Sequence, residues 1–241
     1  MGSRTLYRGF PQLRLTTRPS PNCGPRRDGA TPDMVVIHYT AMQSAEAAAN
    51  TLCNPETEVS AHYLIAEDGE VMALVPEDQR AWHAGAGAWG DVTDVNSRSI
   101  GIELANTGFA PFAAAQMDAL VELLRGILDR WTIRPERVIG HSDMAPGRKI
   151  DPGARFDWRR LALEGLAVWP EGESAGTVDD AAFVALMRGF GYSATEDPDL
   201  LLKILRLRFR PRHDGPRDTT DVGIIASLAR RFPVDGARAS A

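Results

Sequence analysis

The chain has 241 residues, 44% of them hydrophobic and 24% charged, with 27 basic against 32 acidic side chains and a formal net charge of -5. At about 150 residues per domain, this fits one medium domain plus a small one and excludes long disordered or fibrous chains. The mild acidity supplies no global field for nucleic acid, so no nucleic-acid partner is expected.

Two cysteines, Cys23 and Cys53, are too few for a disulfide framework and lack C-x-x-C spacing, which points to a reducing compartment. The first stretch is rich in arginine and broken by prolines, which opposes an amphipathic targeting helix. Residues 1–30 therefore read as a surface arm. No apolar run suits a signal peptide or a membrane span, and Leu6 stands where a myristoylation signal needs Ser or Thr. A cytoplasmic protein is expected. Met1-Gly2-Ser3 standing in place of a removed export signal would make it periplasmic instead.

Met34-Val35-Val36-Ile37-His38 predicts a buried strand, followed by a helix over 44–52 with Ser44 as its N-cap. Ala61–Ile65 and Val71–Val75 predict a hairpin, with Asp68-Gly69 supplying the positive φ of the turn. Strands follow at Ser99–Leu104 and Val138–Gly140. Between them Phe112, Met117, Leu120, Val121, Leu124, Ile127, Leu128 and Trp131 recur at helical spacing, and a shorter helix is expected over 157–166. Strands interleaved with helices define an α/β domain over 31–170, a mixed central β-sheet flanked by helices.

Residues 171–178 form a polar, glycine-bearing linker. Beyond it, helices over 179–190, 199–209 and 219–232 make a small C-terminal three-helix unit (179–235), leaving a tail of 236–241. Gly191 suits the residue that ends the first of these helices. So short a unit has a marginal core alone and is expected to pack on the main domain. The arginines of Arg206-Leu207-Arg208-Phe209-Arg210-Pro211-Arg212 read as a solvated helix face, with an anionic-glycan contact as the alternative.

The chemistry concentrates near His141. It follows a strand and precedes a Pro/Gly loop that leads to Lys149-Ile150-Asp151-Pro152. Taken singly, His141 is a strand-end histidine and Asp151 a turn former. His38 also ends an apolar strand, where an imidazole is awkward unless its nitrogens are satisfied. Two imidazoles and a carboxylate would leave zinc a fourth position for water. Along Ser99–Leu104, alternation turns Ile100, Ile102 and Leu104 to one face and Gly101 and Glu103 to the other, with Gly101 leaving room beside the carboxylate. Glu103 then reads either as a solvent-facing residue or as a catalytic proton carrier.

Five segments occur in one order: Val35-Val36-Ile37-His38-Tyr39-Thr40, Ser60-Ala61-His62-Tyr63-Leu64-Ile65, Ala81-Trp82-His83-Ala84-Gly85, Ser99-Ile100-Gly101-Ile102-Glu103-Leu104, and Gly140-His141-Ser142-Asp143 continuing to Gly147-Arg148-Lys149-Ile150-Asp151-Pro152-Gly153. Together they resemble the zinc-dependent N-acetylmuramoyl-L-alanine amidases of the type 2 (AmpD/AmiD-like) family, over about residues 30–170. The helical tail is similar in outline to the peptidoglycan-binding unit of AmiD-like members.

The resemblance implies one Zn2+ per chain held by His38, His141 and Asp151. It also implies Glu103 as general base and Lys149 as oxyanion stabiliser. The implied reaction is hydrolysis of the amide between N-acetylmuramic acid and L-alanine, in muropeptides, their 1,6-anhydro forms or intact murein. His62 is then expected in the site wall, with a structural histidine as the alternative. Trp82, His83 and Ala84, with Gly87, Trp89 and Gly90, are expected in a loop that sugar rings or the stem peptide approach, unless Trp82 simply anchors it. Asn96, Arg98 and Arg148 are expected to bind stem-peptide carboxylates, with surface salt bridges as the alternative for the two arginines. Two rivals stand beside this: a non-catalytic peptidoglycan-binding protein of the same fold, and a serine or cysteine hydrolase using Cys53.

Overall fold

A computed structural model of the protein describes residues 13–172 and 175–234. Its strands are β1 (Leu15–Thr17), β2 (Cys23–Pro25), β3 (Met34–Tyr39), β4 (Tyr63–Ile65), β5 (Val71–Ala73), β6 (Gln79–Ala81), β7 (Ser99–Leu104) and β8 (Val138–Gly140). The helices are α1 (Ala45–Leu52), α2 (Val95–Arg98), α3 (Ala114–Trp131), α4 (His141–Met144), α5 (Trp158–Leu163), α6 (Asp180–Phe190), α7 (Pro198–Phe209) and α8 (Thr219–Arg231). Six strands form one mixed sheet in the order β1-β5-β4-β7-β3-β8, and β2 pairs with β6 in a separate two-stranded ribbon. β4, β7, β3 and β8 run parallel, whereas β4 and β5 form the expected antiparallel pair.

The period of two along each strand decides the layers. Val35, Ile37, Ile100, Ile102, Leu104 and Val138 face α3, whose Leu120, Leu124 and Ile127 meet them in one fully buried cluster. Each aliphatic side chain so buried contributes about 1.5–3 kcal/mol. The helix forms over this stripe because the segment is proline-free and rich in Ala and Leu. It ends where Thr132 turns to φ 53°. Phe112 lies just before it and packs on the same cluster.

Met34, Val36 and Ile139 face the other way, and the C-terminal helices cover them. Met144, Phe183, Met187, Phe190, Tyr192 and Leu205 join those three residues in one continuous core. The helical unit is therefore a layer of the fold, packed on the main domain as its small size required. Ser44, Asp157, Asp179, Asp197 and Asp218 each accept a backbone N–H as N-caps, which sets the starts of α1, α5, α6, α7 and α8. Gly191 takes φ 142° past α6, against the indole of Trp89, where a Cβ would lie 2.3 Å from a ring atom.

Two expectations change. From residue 13 onward the arm is part of the fold: β1 pairs with β5, β2 pairs with β6, and buried Arg26 donates to the carbonyls of Glu77, Ser97 and Ser99. Three-residue strands carry no readable alternation, and the arginine looked like surface. Residues 1–12, with Leu6 and Met1-Gly2-Ser3, lie outside the described residues, as does the 236–241 tail. The Arg206–Arg212 stretch is a solvated face only at its end, where Arg212 is exposed. Arg206 pairs with Asp221 at 2.6 Å and Arg208 with Asp143 at 2.6 Å, and both guanidinium groups are buried. Among the described residues, no helix is long and apolar enough to cross a membrane.

Candidate active site

The carboxyl ends of β3, β7 and β8 meet at one edge, where open α/β sheets place their ligands. Met34, Val36 and His38 share a face of β3, so the apolar run ends in an imidazole at the rim. Glu103 is the register partner of His38 on the adjacent parallel strand. His141 opens the single turn α4 directly after β8. The Ser142 N–H donates to the Asp151 carbonyl at 2.9 Å and returns the loop to this edge. Gly140 permits that approach, since a Cβ there would stand 2.7 Å from Pro152 Cδ.

His38 Nδ1 lies 2.9 Å from His141 Nδ1, and Asp151 Oδ2 lies 3.0 Å from each. All three residues are buried, and as a group they could hold a metal ion. The outer hydrogen bonds decide which nitrogens carry protons. The Ser99 hydroxyl donates to the Val95 carbonyl at 2.6 Å, so its oxygen accepts from His83 Nε2 at 3.1 Å. His83 Nδ1 is then an acceptor, and His38 Nε2–H donates to it at 3.0 Å. In the same way His141 Nε2–H donates to the Ala84 carbonyl at 2.8 Å.

Burial, with neighbouring His141 adding to it and Asp151 opposing, pushes the His38 imidazole down to about 4, so the ring is neutral near pH 7. With each Nε2–H engaged outward, both inward Nδ1 atoms face each other and a carboxylate oxygen. Three acceptors this close repel one another unless a cation lies among them, and two imidazoles with one carboxylate suit a divalent metal.

Glu103 reaches the same place from β7. Burial pushes its carboxyl up to about 8, with Asp151 adding to the effect and Lys149 opposing it. Its Oε2 has no hydrogen-bond partner among the described residues. It lines a cleft of about 520 Å³ together with His38, His141, Asp151, Trp82, His83, Arg148 and Lys149. Met42, Leu52 and Val59 give that cleft an apolar side.

Several predicted site residues stand elsewhere. His62 is fully buried behind the wall: its Nδ1 accepts from the Gly101 N–H at 2.9 Å and its Nε2 faces the Gln79 carbonyl at 3.1 Å. The ring of His83, packed edge-on at 5.8 Å, takes the cleft-facing position instead. The space above Gly101 likewise belongs to His83, not to the Glu103 carboxylate, since a Cβ would lie 2.5 Å from His83 Cγ. Ala84 and Asn96 are buried braces. Asn96 Oδ1 accepts from the amides of His83 and Ala84 at 3.0 and 2.8 Å, and the Ala84 carbonyl holds His141.

Arg98 pairs with Asp33 away from the cleft. Arg148 remains at the rim, with its guanidinium donating to the carbonyls of Ala84 and Ala86 at 2.6 and 2.5 Å. Trp89 is fully buried against Phe190 and Tyr192, so this half of the aromatic loop anchors the helical unit and leaves Trp82 at the cleft. Cys53 does not line the cleft.

Against this geometry, the family described as N-acetylmuramoyl-L-alanine amidase (Amidase_2) matches residues 28–154, and the chain belongs to that family. N-acetylmuramoyl-L-alanine amidase AmiD of Escherichia coli is 35% identical over 236 residues, covering 84% of each chain. The 1,6-anhydro-N-acetylmuramyl-L-alanine amidase AmpD of the same organism is 36% identical over 60% of this chain and 88% of its own. Among solved structures, E. coli AmiD in complex with the substrate anhydro-N-acetylmuramic acid-L-Ala-D-gamma-Glu-L-Lys superposes with a TM-score of 0.77. It is 33% identical and covers 89% of this chain and 93% of that one. Pseudomonas aeruginosa AmpDH3 with an anhydromuramic pentapeptide gives 0.77 at 30% identity, covering 90% and 96%.

Proposed function

We propose that the protein is a zinc-dependent hydrolase of the amide between N-acetylmuramic acid and L-alanine, acting on muropeptides and their 1,6-anhydro forms in peptidoglycan turnover. The observation that carries this reading is the pair of inward Nδ1 lone pairs facing the Asp151 carboxylate. His38, His141 and Asp151 would hold one zinc ion. Bound there, zinc supplies Lewis-acid polarisation of the amide carbonyl and makes water a stronger acid.

The remaining chemistry belongs to the chain. Glu103 takes a proton from the attacking water as oxygen adds to the lactyl carbonyl carbon. Lys149 steadies the oxygen that becomes negative, because a fixed charge in a partly dry cleft acts more strongly than in water. Glu103 then delivers its proton to the alanine nitrogen as the C–N bond breaks, leaving a carboxylate and a free amine. Burial raises the Glu103 carboxyl above the usual carboxylate range, which would make it a stronger base once a cation held by His38, His141 and Asp151 favours its ionised form. Trp82 offers an aromatic face to the sugar and Arg148 a cation to the stem peptide, both at the rim.

A purely binding role would not need three ligands and an unpartnered carboxyl in one cleft. A cysteine hydrolase has no support from Cys53, whose thiol burial pushes up and away from the reactive form. The free thiols of Cys23 and Cys53 support a reducing, cytoplasmic setting.

Mass spectrometry of products tests the reading. A 1,6-anhydro-muropeptide should yield the free anhydro sugar acid and an intact stem peptide beginning with L-alanine. Cleavage within the peptide or the glycan would refute it.

A further inference from the structure

α4 is one turn of four residues, yet it carries His141 and, through the Ser142 N–H, the Asp151 backbone. So short a helix has no stability of its own and must be held by its surroundings. Its cap, Gly140, has no side chain to offer, so the Asp143 carboxylate reaches back to the Gly140 N–H at 2.7 Å. That carboxylate is almost wholly buried, and its other partners come from the C-terminal unit. Arg208 of α7 donates to Asp143 Oδ2 at 2.6 Å, and the Tyr192 hydroxyl donates to Oδ1 at 2.8 Å. A second Arg208 nitrogen donates to the Val138 carbonyl at 3.2 Å, and the guanidinium lies 4.0 Å over the Trp158 ring.

We infer that Arg208 and Tyr192 are positioning residues for the metal centre: through Asp143 they fix the turn that aims His141, so the C-terminal helices are a working part of the site. This rests on the zinc reading above. The helical unit touches no ligand directly. It acts by satisfying a buried carboxylate two residues along the chain from His141, since supports behind a ligand orient it as firmly as the ligand's own packing. A buried carboxylate that loses its one cationic partner among the described residues must move or admit water, and either releases α4.

The test uses the full chain and compares Arg208→Met, Arg208→Lys and Tyr192→Phe with Arg206→Met. The last breaks the Arg206–Asp221 pair of the same unit, which has no contact with α4. Zinc affinity is read by competition with a chromophoric chelator, stability by thermal unfolding, and kcat and KM on a muropeptide.

Arg208→Met should weaken zinc binding about tenfold and lower kcat with little change in KM. Arg208→Lys should recover part of the affinity, and Tyr192→Phe should lose about threefold on the same scale. Arg206→Met should lose stability and keep its zinc affinity. Unchanged zinc affinity in folded Arg208→Met overturns the inference, as does an equal loss in Arg206→Met. If Arg208→Met does not fold, Tyr192→Phe decides, and unchanged affinity there overturns the inference. A wild-type chain that binds no zinc fails at the earlier step and overturns the metal reading itself.

Discussion

The Nε2–H of His38 donates to Nδ1 of His83 across 3.0 Å, and this one bond turns the other nitrogen of His38 into a lone pair aimed at His141 and Asp151. His83 is itself fixed by Ser99 and held neutral, since burial drives its imidazole well below the usual range and His38 lowers it further. The relay Ser99–His83–His38 therefore sets a tautomer without touching the metal position. Replacing His83 with Ala should weaken zinc binding by about 10–100-fold, the usual effect of losing a support behind a metal-ligating histidine. His83→Gln, whose carbonyl can still accept from His38, should lose less. A chelator competition assay measures both.

Glu103 stands apart from the ligand set, so removing its charge separates chemistry from metal binding. Glu103→Gln should lower kcat by at least about 100-fold while leaving zinc stoichiometry unchanged. Product formation on a muropeptide and metal content of the same preparation check the two halves together.

His62 contributes to stability rather than to the site. Burial pushes its imidazole to about 3, with Arg26 adding to the effect, against an unfolded value near 6.5. The folded form therefore stays neutral while the unfolded chain takes up a proton below pH 6.5. Stability is complete above that pH and falls as pH drops towards 3, at up to about 1.4 kcal/mol per pH unit for this residue. Denaturant titrations of the metal-free protein from pH 8 to pH 4 should show the fall, and His62→Gln should make it shallower.

Much of this was legible in the sequence because it depends on short-range rules. The β3, β7 and β8 segments announced themselves by β-branched runs, α3 by its stripe, and the His38, His141 and Asp151 group by two strand-end imidazoles and the loop that carries a carboxylate. What escaped depends on which side chain fills which gap. Alternation put Gly101 on the face of Glu103, but only the folded loop shows His83 occupying the space above it, edge-on to His62. Arg98 and Arg148 looked equivalent in sequence, yet Asp33 claims the first and the cleft keeps the second. Arg206 and Arg208 read as surface because their partners, Asp221 and Asp143, lie 15 and 65 residues away.

The central claim is that His38, His141 and Asp151 hold one zinc ion on which amide cleavage depends. Chelator-stripped protein assayed on an anhydro-muropeptide, before and after addition of one equivalent of zinc, tests this most directly. Activity should be lost on stripping and restored at a stoichiometry of about one zinc per chain. Full cleavage by the metal-free protein would contradict it.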